Sequence, residues 1–231
     1  MWNGKLKAVT FSFDDGVIQD KRLVELLKKY NIKATFNLNS NRSNIVWELN
    51  FPNYGLFKHT TLNKEEWIKL YEGFEVAGHS LTHPDLIPLN DEEIIRQVKE
   101  DNLALEKMFG YPIYGFAYPG GAPNADDRVA NIIKNNTNVK YARIYETTHN
   151  FDLQENLYLF KGTIQWLEPE FESLVERCCG LDIHKVEILH LQRHDSSFVI
   201  VLLMLFMFVM IMLIVVMFFL FLFFVDEPNA L

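Results

Sequence analysis

An α/β fold built on a parallel sheet or barrel is what this sequence predicts, and three observations carry the prediction. Short strand-like runs recur along the chain, segments at helical spacing alternate with them, and the chemistry-bearing polar residues fall just after the strands. Ala8 to Phe13 alternates Val9, Phe11 and Phe13 with Ala8, Thr10 and Ser12, which reads as the first strand. Arg22 to Tyr30 then places Leu23, Leu26, Leu27 and Tyr30 at helical spacing, and Lys33 to Asn39 returns to strand character. Ser40 to Thr61 reads as a long polar loop studded with aromatics, a candidate lid or rim. Asn63-Lys64-Glu65-Glu66 and Asn90-Asp91-Glu92-Glu93 each pair a polar cap with an acid three residues on, the signal of a helix start. The second opens the best helix of the chain, Glu92 to Phe109. Further strands are predicted at Phe74 to Ala77, Tyr114 to Tyr118 and Val139 to Ala142, with a helix from Asp126 to Lys134. Beyond Phe151 the pattern predicts a helix near Pro169 to Arg177 and a strand near Val186 to Leu191.

At 231 residues the chain has room for one ordinary domain. Its 49% hydrophobic content is inflated by an unbroken run of 28 Val, Ile, Leu, Met and Phe residues from Phe198 to Val225. The net charge of −8, with no basic cluster, argues against a nucleic-acid partner. Adjacent Cys178 and Cys179 imply no disulfide framework and read as buried helical thiols. Met1-Trp2-Asn3-Gly4-Lys5 lacks the charged-then-apolar profile of a secretory signal, so a cytoplasmic catalytic domain is expected.

Two segments carry the chemistry. Phe13-Asp14-Asp15-Gly16 ends the first strand on paired carboxylates, and Gly78-His79-Ser80-Leu81-Thr82-His83-Pro84 spaces two imidazoles four residues apart. One carboxylate and two imidazoles form a usual three-ligand set for a catalytic zinc-type site that keeps a position open for water. The second carboxylate would then serve as a base. Each segment also has a bland reading: Asp-Asp-Gly is a common turn, and two histidines at this spacing can be unrelated. Their conjunction at successive strand ends, where α/β folds gather functional groups, favours a metal-dependent hydrolase.

These residues resemble the polysaccharide deacetylases with the NodB homology domain, carbohydrate esterase family four. Ser12-Phe13-Asp14-Asp15-Gly16 resembles the family's first motif and His79-Ser80-Leu81-Thr82-His83 its second. Gly115-Phe116-Ala117-Tyr118-Pro119-Gly120-Gly121 is similar to the third in its short-branch form, and Leu191-Gln192-Arg193-His194 to the late Leu-x-x-His motif. The resemblance spans roughly residues 6 to 195 and implies a distorted (β/α) barrel. It implies Asp14 as catalytic base, Asp15, His79 and His83 as metal ligands, and His194 as general acid. Gly120, with Tyr118, would face the oxyanion and substrate. The metal would be zinc, with cobalt, nickel or manganese also compatible with such donors. Ala117 stands where the family's third motif has an Arg that positions the catalytic Asp, and Arg143 is a candidate substitute from elsewhere in space. The family's fourth motif has no clean match; Asp152 and Trp166 are candidates for its partners. His190 and His184 are alternatives to His194, Leu181-Asp182-Ile183-His184 also fitting the late motif. His59 and His149 read as loop histidines.

Three segments follow from this reading: a deacetylase-like domain at 1–197, the apolar stretch 198–225 and a polar tail 226–231. As a helix the stretch would be about 42 Å long against a hydrocarbon core of ~30 Å. It reads either as a C-terminal membrane anchor or as the product of a truncated or frame-shifted gene, which would leave the barrel incomplete. The expected activity is removal of N-acetyl or other N-acyl groups from amino sugars, with an N-acetylated saccharide as partner. The alternatives are hydrolysis of a non-sugar amide, or a catalytically silent carbohydrate-binding or membrane-tethered scaffold.

Overall fold

The alternation in the first strand sorts its side chains in the reverse of the usual sense, and the architecture follows from that. In the computed structural model, which describes residues 7–51, 55–166, 168–180 and 187–193, β1 runs over Lys7–Asp14. Thr10 and Ser12 line an interior cavity, whereas Phe11 packs on the outer side. The sheet therefore curls around a polar centre, and its apolar faces meet helices.

The remaining elements follow in strand–helix order. They are α1 (Asp20–Lys29), β2 (Thr35–Leu38), β3 (Val46–Phe51), β4 (Gly55–Thr60), α2 (Lys64–Leu70), β5 (Glu75–Gly78), α3 (Asp91–Phe109) and β6 (Gly115–Ala117). Then come α4 (Asp127–Asn136), β7 (Tyr141–Thr147), a single 3₁₀ turn at Leu157–Leu159, β8 (Phe160–Gly162), β9 (Ile164–Gln165), α5 (Phe171–Gly180) and β10 (Glu187–Arg193). The two predicted caps are in place, Asn63 accepting from Glu65 N and Asn90 from Glu93 N; Gly110, not predicted as a cap, ends α3 at φ 78°.

Eight strands form one sheet in the order β8-β7-β6-β5-β2-β1-β10-β9, every neighbouring pair parallel. Its two edge strands, β8 and β9, are separated in sequence only by Thr163. That residue donates its N–H to His190 O, and the His190 N–H bonds back to Thr163 Oγ1. The segment 160–165 thus bridges the two edges, and the sheet is a nearly closed barrel. The described residues all belong to one compact unit, Met1–Ser196.

Outside the barrel, Ile94, Val98, Val129, Ile132 and Ile133 of α3 and α4 bury against Phe116, Ala142 and Ile144 of β6 and β7. Full burial of such aliphatic side chains is worth about 1.5–3 kcal/mol each, so both helices are firmly docked. Cys178 is buried on α5.

Three expectations are corrected. The supposed loop from Ser40 to Thr61 holds an antiparallel hairpin of β3 and β4, and its His59 is a buried strand residue stacked on Trp47. The strand predicted at Val139 to Ala142 runs instead over Tyr141–Thr147, because Thr137 and Val139 are used to leave α4 and seal the core. Phe160–Gln165 was not anticipated as strand at all. The apolar stretch 198–225, the polar tail, His184 and His194 lie outside the described residues. Among the described residues, no helix is long and apolar enough to cross a membrane.

Candidate active site and metal centre

Two adjacent carboxylates on a strand would normally point to opposite faces. Here β1 ends at Asp14, which faces the barrel interior with Ser12, and Asp15 turns the chain with φ 72°. Gly16 follows at φ 61°, where an added Cβ would stand 2.9 Å from Leu38 Cδ2. The turn therefore needs glycine, and it carries Asp15 over the rim.

His79 follows β5. Preceding Gly78 lies against α3, where an added Cβ would meet Asn102 Oδ1 at 2.4 Å. The chain then passes through Ser80 at φ 68° and returns His83 at φ 61°. Left-handed non-glycine residues cost about 1–3 kcal/mol each and persist only where the surroundings over-determine them. The surroundings do so here: His83 N–H bonds to Ser80 Oγ at 3.0 Å, and Asn39 Nδ2 bonds to the carbonyls of His79 and Ser80.

The three expected ligands converge. Asp15 Oδ1 is 3.9 Å from His79 Nε2 and 3.8 Å from His83 Nε2, and all three donor atoms lie within 4.8 Å of one another. The imidazole centroids are 4.9 Å apart. His79 is fully buried, and its Nδ1 pairs with Ala117 O at 2.8 Å. That bond assigns the ring proton to Nδ1 and leaves Nε2 as the lone-pair nitrogen. Nε2 is buried with no hydrogen-bond partner. Burial holds the imidazole down to about 3, partly offset by the charge of Asp14, so the ring is neutral at physiological pH. A neutral nitrogen without a partner, facing a carboxylate and a second imidazole, fits a divalent zinc-type cation. The His83 side chain is 25% exposed, so the cluster opens to solvent on that side.

Asp14 has a different set of partners. Its Oδ1 accepts from Asn37 Nδ2 at 2.7 Å and from an Arg143 terminal nitrogen at 2.5 Å, in a pair that is almost fully buried. Arg143 Nε and Asn37 Nδ2 both bond to Ser12 Oγ. Arg143 of β7 thus reaches Asp14 across the barrel. Of the two candidates for the fourth motif's partners, Asp152 is exposed on the segment after β7, and Trp166 is half-buried near the end of β9.

Below this layer lies a cavity of about 350 Å³ lined by Thr10, Thr35, Glu75, Tyr141 and His190, among others. His190 pairs in register with Thr10, four residues before Asp14, so it sits low in the interior and away from the rim. This removes it as an alternative to His194. Tyr118 is also corrected: its ring belongs to the outer core and its hydroxyl donates to Tyr158 O at 2.9 Å. Phe116 and Tyr118 are two residues apart and share the apolar face. Gly120 sits at φ 86° with open space around the position of a side chain. The turn it occupies is tied by Asn124, whose Nδ2 bonds to the carbonyls of Tyr118 and Gly120.

Sequence reasoning missed Asn37, Asn39, Gln97, Asp101 and Asn124. A signal for the first two was available: Thr35, Asn37 and Asn39 alternate with buried apolar residues, an unusual polar stripe for an interior strand. Asp101 is fully buried, and burial pushes its carboxyl up to about 7 against hydrogen bonds from Ser40 and His79.

The profile of the polysaccharide deacetylase family matches residues 3–141, more than half of the chain. The chain is 29% identical over 119 residues to a bifunctional xylanase/deacetylase of Pseudobutyrivibrio xylanivorans, covering 49% of this chain and 16% of that protein. It is also 29% identical over 120 residues to the peptidoglycan-N-acetylglucosamine deacetylase PgdA of Listeria monocytogenes, covering 51% and 22%. It therefore spans less than a quarter of the length of these curated relatives. Among solved structures, the deacetylase PplD of Streptococcus pyogenes, in complex with acetate, superposes with a TM-score of 0.53 at 20% identity, over 65% of this chain and 61% of that one. The profile match, whose range takes in Asp14, Asp15, His79 and His83, makes this chain a member of the polysaccharide deacetylase family.

Proposed function

We propose that the protein is a metal-dependent hydrolase that removes N-acetyl groups from amino-sugar units of a polysaccharide. The observation that carries this reading is the convergence of Asp15, His79 and His83, with His79 Nε2 buried and unpartnered, beside a carboxylate held by other groups. Asp15, His79 and His83 would hold the ion, zinc being the best match to two imidazoles and a carboxylate. When bound, it would polarise the amide carbonyl and lower the pKa of the attacking water.

Asp14 takes the proton of that water. Arg143 and Asn37 grip its Oδ1 and fix the carboxylate's orientation. Gly120 presents its backbone N–H to the oxyanion, and the open space at its α-carbon allows close approach. His194 gives a proton to the leaving amine. In support, Arg193 at the end of β10 is the register partner of Phe13, so the strand finishes level with the start of the Asp14–Asp15 turn.

The test uses the full chain loaded with zinc and N-acetylglucosamine oligomers. Asp14→Asn is expected to lower acetate release by about 10²–10⁴-fold while metal content stays at the wild-type level. Full activity in that variant refutes the mechanism. A wild-type chain that binds zinc and the oligomers but releases no acetate is the silent binder instead.

A further inference from the structure

The loop that carries both imidazoles is held from one side by one helix face. Asp101 of α3 accepts Ser40 N–H on Oδ1 at 2.7 Å and His79 N–H on Oδ2 at 3.0 Å. One turn earlier on the same face, Gln97 accepts Thr82 N–H on Oε1 at 3.0 Å, and its Nε2 donates to Thr82 Oγ1 at 2.9 Å. The Gln97 carbonyl accepts Leu81 N–H at 2.9 Å. Three of the backbone N–H groups between His79 and Thr82 thus reach two residues spaced i, i+4, that of His79 being shared with Leu38 O at 2.9 Å. Gly78 lets α3 come this close, since a side chain there would strike Asn102 and press on Asp101. Both helix residues are buried, and neither belongs to the motifs that suggested the site.

We propose that Gln97 and Asp101 are positioning residues that preset the His79–His83 turn, so that the two ring nitrogens face Asp15 before an ion arrives. The proposal rests on the metal-hydrolase reading above and extends it to residues outside the ligand set. The chemistry is specific to a carboxylate at position 101. The Ser40 N–H and the His79 N–H, the latter shared with Leu38 O at 2.9 Å, each face one carboxylate oxygen; an Asn offers one acceptor and turns a donor towards the other N–H. A loop released from this clamp relaxes out of the left-handed conformations at Ser80 and His83, and ordering it again opposes ion binding.

The experiment measures zinc affinity of the ion-free protein by competition with a chromophoric chelator, with folding followed by circular dichroism and Tm. Asp101→Asn is expected to weaken zinc binding by about 10–100-fold, the range typical of lost supporting partners. Gln97→Met, which keeps the helix and the Gln97 carbonyl, is expected to weaken it by less, about 3–10-fold. Ile133→Ala, a core truncation on α4 away from the loop, lowers Tm and should leave affinity unchanged. If Asp101→Asn does not fold, Gln97→Met decides. Wild-type affinity in the folded variants overturns this inference alone, as does a loss that Ile133→Ala reproduces. Failure of the wild type to bind zinc overturns the hydrolase reading along with it.

Discussion

Among the described residues two clusters bring three histidine and carboxylate donors within 4.8 Å: Asp15 with His79 and His83, and Glu168 and Glu170 with His149. Both stand on segments that follow strand carboxyl ends, and their donor types are similar. They differ in what surrounds them. His149 is exposed, and its Nε2 is already spent on Glu168, whose other oxygen accepts from Thr147 Oγ1 and Gln165 N–H. His79 is buried, its Nδ1 is anchored on a carbonyl, and its Nε2 has no protein partner. In the exposed cluster His149 and Glu168 satisfy one another. In the buried cluster the surroundings keep an imidazole neutral and withhold a partner from it. The difference teaches that donor spacing alone does not define a cation site; what distinguishes one is a buried donor left for the cation to satisfy.

The largest expected effect separates the two clusters directly. His79→Gln removes an unpartnered donor and is expected to weaken zinc binding by at least about 100-fold, beyond what losing a supporting partner costs. His149→Ala, in an otherwise intact protein, should leave stoichiometry and affinity at wild-type values. Equilibrium dialysis with metal analysis checks both. Comparable losses in the two variants would break the comparison, because the exposed cluster would then be contributing to the same binding.

A smaller effect is expected from the group that holds the base. Arg143→Met should lower kcat/KM for acetate release by about 10²-fold through misplacement of Asp14, with zinc content retained. Arg143→Lys should not restore the rate, since one ammonium cannot reach Ser12 Oγ and Asp14 Oδ1 with the fork that Nε and a terminal nitrogen provide. The Met variant should also lower stability by about 3–5 kcal/mol, because it leaves a buried carboxylate uncompensated. Loss of zinc together with activity would show that Arg143 supports the ligands rather than the base.

Legibility in the sequence follows the range of the interactions. Asp14, Asp15, His79 and His83 were legible because each pair is local and sits on a recognisable strand end. The strand–helix order was legible because helices such as α3 announce themselves by caps and by spacing. Arg143 could be named only as a candidate: its contact with Asp14 spans 129 residues, and no local pattern encodes it. Asp101 and Gln97 were hidden for a related reason. On an amphipathic helix they read as part of the polar face, and only the close approach at Gly78 turns that face inward. The hairpin of β3 and β4 was missed because Val46-Trp47-Glu48-Leu49 breaks simple alternation. The two- and three-residue strands β9 and β8 are too short to carry any period. Tyr118 was misassigned because a motif position was read without the alternation that puts it beside Phe116 in the core.

The smallest expected effect isolates burial from companionship. His190 is a half-buried imidazole whose Nε2 is enclosed, and desolvation there, helped by the charge of Arg143 and opposed by that of Asp14, holds it down to about 3. Its surroundings are Thr10 Oγ1 on Nδ1 and the Phe160 ring edge-on at 5.3 Å, and it belongs to neither cluster of converging histidine and carboxylate donors. Between its folded value and the unfolded value near 6.5, the unfolded chain binds a proton that the folded chain does not. Stability contributed in this way is present above about pH 6.5 and is lost as pH falls through the window towards 3. His190→Leu should therefore flatten the stability–pH profile of the ion-free protein below pH 6.5, by up to about 1.4 kcal/mol per pH unit. Urea unfolding between pH 4 and 7 reads the slope. The variant should bind zinc as tightly as the wild type, because an imidazole outside the converging cluster offers a cation only one ligand. An unchanged slope would mean that His190 takes up its proton while folded, and burial could not then be what keeps the matching ring of His79 neutral.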